Sequence, residues 1–93
     1  MMHPDAPALF TKPIESRGCH VSVAAQHAAL RAWIPARGYN NLAVRLEASN
    51  NRLQGPDYHR VADRMIQKLR KAGLIKLDKR SWSWTDTAGV ILE

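Results

Sequence analysis

His59, Arg60, Asp63, Arg64 and Gln67 fall within nine residues of a 93-residue chain. Lys68, Arg70 and Lys71 follow at once, and Lys79 and Arg80 come eight residues after Lys71. Guanidinium forks, ammonium groups and a carboxamide at this density suit contact with an anionic polymer. Residues 57–80 hold eight Lys/Arg against three Asp, within a formal net charge of +6 for the whole chain. That clustering is the electrostatic footprint of a nucleic-acid binder; a solvated basic face is the plain alternative. No bond-breaking constellation stands beside it. There is no Gly-rich phosphate loop, no carboxylate pair at a useful spacing, and no Ser or Cys nucleophile placed with a His. His3, Cys19 and His20 fall short of the four ligands of a closed zinc site. The expectation is therefore a binding module: not an enzyme, with no catalytic residue, no metal and no cofactor.

The elements that position these residues are legible in the local pattern. Val61, Ala62, Met65, Ile66, Leu69 and Ala72 make one apolar stripe at the 3.6-residue period, so residues 57–72 form an amphipathic helix. Pro56 suits its first turn, and Asp57 suits the positive end of its dipole. Lys68, Arg70 and Lys71 lie at the negative end, and Gly73 is placed to close the helix in the left-handed conformation. The period then changes. Leu74 to Leu77 is short and apolar, Asp78 to Ser81 is polar, and Trp82-Ser-Trp84-Thr alternates. Residues 74–77 are thus expected to pair antiparallel with 81–85, with both indoles packing on one face and Ser81, Ser83 and Thr85 facing out.

Leu69-Arg-Lys-Ala-Gly73-Leu-Ile followed by Trp84-Thr-Asp-Thr-Ala-Gly89 resembles the L-x-x-x-G-L-I … W-x-L-T-x-x-G pattern of bacterial winged helix-turn-helix regulators. The chain departs from it in having three residues between Thr85 and Gly89, where the pattern has two. The resemblance implies an α+β winged-helix domain, three helices followed by a two- or three-stranded β-hairpin wing. It implies helix 57–72 in the major groove and wing 78–81 on the backbone of double-stranded DNA. The base-reading candidates are then His59, Arg60, Asp63, Arg64 and Gln67. Arg60 and Arg64, one turn apart, match guanine O6 and N7, and Gln67 matches adenine. Asp63 either orients an arginine, accepts from cytosine, or pairs with Gln67 or Arg60. Lys68, Arg70, Lys71, Lys79 and Arg80 are the phosphate candidates. The rival expectation is a winged helix used as a protein–protein module, or a small accessory or inhibitor protein docking through the same basic face.

The remaining chain is read more coarsely. Residues 1–20 carry Pro4, Pro7, Pro13 and Gly18 with no sustained period, and are expected to be a flexible tail, with Leu9, Phe10 and Ile14 available to pack on the domain of residues 21–93. Ser22 is placed to cap a helix that Pro35 ends, and His27 on it is a packing residue. Gly38-Tyr39-Asn40-Asn41 is turn chemistry, with Tyr39 available for a short strand, and the second helix follows over Leu42–Glu47. The segment from Ala48 to Pro56 exceeds the turn of the prototype motif, by insertion or by extension of that helix towards Leu53. Thr85 is placed to cap a short last helix through Val90-Ile91-Leu92. No apolar run is long enough to cross a bilayer, no signal peptide is visible, and Cys19 has no partner for an intramolecular disulfide. A cytoplasmic, nucleoid-associated monomer or weak homodimer is expected, with no membrane partner and no small-molecule substrate evident.

Overall fold

A computed structural model describes residues 2–16, 19–50 and 58–86. Three helices pack in sequence order, α1 (Val23–Ala32), α2 (Gly38–Asn50) and α3 (Tyr58–Lys71). Two antiparallel strand pairs flank them, β1 (Ile14–Ser16) with β2 (Cys19–Val21) before α1, and β3 (Ile75–Asp78) with β4 (Ser81–Trp84) after α3. The molecule is a small α+β domain.

The stripe on α3 behaves as its period requires. Tyr58, Val61, Ala62, Met65, Ile66 and Leu69 are buried, while Arg60, Asp63, Arg64 and Lys68 are exposed. The helix ends in a Schellman arrangement. Gly73 N–H donates to Arg70 O at 3.0 Å and Leu74 N–H donates to Leu69 O at 3.0 Å, with Gly73 at φ 77°. Leu69 and Leu74 are both buried at this corner, the apolar contact that commonly accompanies the motif. The corner turns the chain directly into β3. Asp57 and Pro56, expected at the helix start, lie outside the described residues.

The hairpin register pairs Ile75 with Trp84, Lys76 with Ser83, Leu77 with Trp82 and Asp78 with Ser81. Its loop is the two residues Lys79 and Arg80, at φ 49° and 70°. Positive φ at both positions matches the right-handed twist of the strands, and it favours Asn-Gly over long side chains. Trp84 is buried against Trp33, edge to face at 5.5 Å between centroids, and Trp82 packs partly on the core. Thr85 corrects the expectation of an outward-facing side chain. It is fully buried, its N–H donates to Leu74 O at 2.9 Å, and its hydroxyl lies 2.9 Å from Gly73 O and 3.0 Å from Leu74 O. A threonine in this register latches the open end of the hairpin to the Gly73 corner. The short last helix expected over residues 90–92 lies outside the described residues.

Ser22 caps α1 as its type requires, accepting from Ala25 N–H at 3.2 Å, and the helix stops before Ile34-Pro35. The α1–α2 connection corrects the sequence reading. The connection runs through extended Trp33 and Ile34 and a 3-10 turn over Pro35–Arg37, and α2 begins at Gly38, whose φ of 72° and ψ of −162° turn the chain from that 3-10 turn into the helix. With the reversal completed by Gly38, Tyr39, Asn40 and Asn41 all enter the helix. Tyr39 is therefore in the first turn of α2 and in no strand. Asn41 reaches back across the corner, its Oδ1 accepting from Ile34 N–H at 2.9 Å. The Trp33 indole N–H closes the same corner by donating to Gly38 O at 3.0 Å. The helix continues to Asn50; its expected extension towards Leu53 lies outside the described residues.

The N-terminal segment, expected as a tail, supplies core residues. Ala6 and Phe10 are buried with Val21, and Leu9 and Ile14 pack against the same cluster. Two α1 side chains hold it there. His27 Nε2 donates towards Pro7 O at 3.1 Å and Phe10 O at 2.9 Å, which fixes the Nε2–H tautomer. Gln26 Nε2 donates to Lys12 O at 3.0 Å and Val21 O at 3.1 Å. In the β1–β2 ladder Glu15 faces His20, and their side chains meet at 2.8 Å.

Candidate nucleic-acid interface

The amphipathic period of α3 brings four of the five base-reading candidates together. His59, Arg60, Asp63 and Arg64 line a shallow groove of about 430 Å³ with Tyr39 from the first turn of α2. The Tyr39 and His59 rings meet edge to face, 5.8 Å between centroids. Gln67 stands apart from this groove. It is half-buried, and its Oε1 accepts from Arg70 Nε at 3.0 Å, so the phosphate candidate Arg70 is held by the adenine-reading candidate. A contact between Gln67 and Asp63 is not among those formed by the described residues, although the spacing permits one.

The other flank of α3 faces the N-terminal segment. Arg64 donates from Nη1 to Glu15 O at 3.2 Å. This bond uses one of five guanidinium donors. Lys68 Nζ sits 5.5 Å from the centre of the Phe10 ring, a cation–π distance. Arg70 and Lys71 are exposed in the last turn, and Lys79 and Arg80 are exposed at the hairpin tip. The site is therefore a basic helix face joined through one rigid corner to a basic turn. Its cations are exposed, which suits an external anion. Among the described residues no group of three or more His, Cys, Asp or Glu could hold a metal ion, and no helix is long and apolar enough to cross a membrane.

Two participants escape the sequence reading. Tyr39 is half exposed beside His59, and only the start of α2 at Gly38 places it there. The Glu15 carbonyl beside Arg64 depends on a contact spanning 49 residues, for which the sequence carries no local signal. Compared with protein-family models, curated proteins and solved structures, the chain matches none.

Proposed function

We propose that this is a winged-helix DNA-binding module of the kind found in small transcription regulators or phage and plasmid proteins. In this reading α3 enters the major groove of double-stranded DNA and the β3–β4 turn rests on the backbone. The observation that carries it is the tip of the hairpin. Lys79 and Arg80 occupy the two left-handed positions of a tight turn, where side chains of this size are disfavoured by about 1 kcal/mol or more apiece. Two cations held in the least comfortable positions of the hairpin, at its most exposed point, are explained by a polyanion that meets them there. Lys68, Arg70 and Lys71 extend the same phosphate contact along α3, while His59, Arg60, Asp63, Arg64 and Gln67 present hydrogen-bonding groups to base edges. Tyr39 joins them from α2.

A second reading has one observation in its favour. Leu77 is 59% exposed, two residues before the tip, which suits a wing that docks on an acidic protein partner. Electrophoretic shifts with duplex DNA separate the two. Arg60→Ala and Arg64→Ala should weaken a preferred site by about 1–3 kcal/mol and random duplex much less, whereas Lys79→Ala and Arg80→Ala should weaken both alike. Four identical effects would mean coating without reading. The absence of any shift at low salt would overturn the DNA reading in favour of the protein partner.

A further inference from the structure

Between the N-terminal segment and α3 lies a cleft of about 480 Å³, separate in most of its lining from the groove of Tyr39 and His59. Its apolar wall is Leu9, Phe10 and Ile14, and Lys12, Arg64 and Lys68 bring three cations to it. The carboxylate of Glu15 also borders the cleft, but it is engaged with His20 at 2.8 Å. Gln26 completes the lining and is fully buried. Both its amide contacts, to Lys12 O and Val21 O, run through Nε2, so an exchange of its oxygen and nitrogen would set oxygen against two carbonyls. Its Oε1 is thus oriented as an acceptor, and it is buried with no hydrogen-bond partner among the described residues.

We infer that this cleft is a binding site for a small organic acid: an apolar body against Leu9, Phe10 and Ile14 with a carboxylate for Arg64 and Lys68. The volume falls in the range of small-molecule sites. Arg64 is already steered by the Glu15 carbonyl, and Lys68 lies beside the apolar wall, so the cations need little reordering to meet a carboxylate. Lys68 is also a proposed phosphate contact, so an occupied cleft weakens duplex binding where the DNA reading holds. The site itself does not depend on that reading.

The test is an NMR titration of the isotope-labelled full chain, without DNA, with 2-hydroxyisocaproate as the probe. Saturable shifts are expected at the amides of residues 12, 14, 15, 26, 64 and 68. Its neutral amide, which keeps the apolar body and the hydroxyl, should bind about tenfold more weakly. Arg64→Gln and Lys68→Gln, both at exposed positions, should each weaken the probe about tenfold while leaving the spectrum of a folded chain. Equal affinity for the acid and its neutral amide, unaltered affinity in the two variants, or the same shifts with inorganic phosphate would each overturn the inference.

Discussion

Replacing Lys79-Arg80 with Asn-Gly separates the stability of the hairpin from its use. Both residues stand at positive φ, 49° and 70°, in a turn that Asn-Gly fits without strain. Relieving about 1 kcal/mol at each position gives about 2 kcal/mol in favour of the folded state. The new glycine returns about 0.4–1 kcal/mol through the greater freedom of the unfolded chain. The net expectation is a gain of about 1 kcal/mol, or about 4–8 °C in Tm for a chain of this size. Thermal unfolding followed by circular dichroism reads it. The same variant should bind duplex DNA more weakly and lower its log–log salt slope by about two units, at about 0.9 for each phosphate it no longer neutralises. A more stable protein that binds less well is the signature of a turn strained for contact. An unchanged or lower Tm would refute the account of the turn, and higher stability with undiminished binding would move the phosphate contacts elsewhere.

Core and corner changes test the frame that holds the site. Leu69→Ala should lose about 2–5 kcal/mol in denaturant titration, because Leu69 is fully buried at the Schellman corner; a loss of a few tenths would mean α3 is rotated. Thr85→Val should lose about 1–3 kcal/mol by removing the hydroxyl that serves the Gly73 and Leu74 carbonyls, and a neutral result would dismiss the latch. Gly73→Ala meets open space yet must hold φ 77°, so it should lose about 1 kcal/mol from backbone strain alone.

The parts of this fold legible in the sequence are those written within a few residues. The stripe from Val61 to Leu69, the stop at Gly73 and the alternation after it encode α3, its corner and the hairpin, because each depends on neighbours in the chain. Ser22 and Pro35 bracket α1 for the same reason. Residues 38–41 mislead because glycine and asparagine suit a turn and a helix start equally; the conformation of Gly38 decides between them, and composition does not carry it. The placement of residues 2–16 rests on Gln26 and His27 gripping carbonyls 14 to 20 residues away, which no periodicity records. Thr85 suggests an outward-facing residue from the strand alternation because nothing local shows that its hydroxyl meets the Gly73 and Leu74 carbonyls. The exposed cations of the candidate site are visible as the polar complement of the α3 stripe. Their companions, Tyr39 and the Glu15 carbonyl, arrive by tertiary contact and are not.

The most direct test of the central proposal is the salt dependence of binding by the unaltered chain to a duplex. About four phosphate contacts from Lys68, Arg70 or Lys71, Lys79 and Arg80 give an expected log–log slope near −4. A slope of about −4 that becomes shallower by about one unit in Lys79→Ala and again in Arg80→Ala would agree with the account. A slope near zero, or one that neither substitution alters, would contradict it.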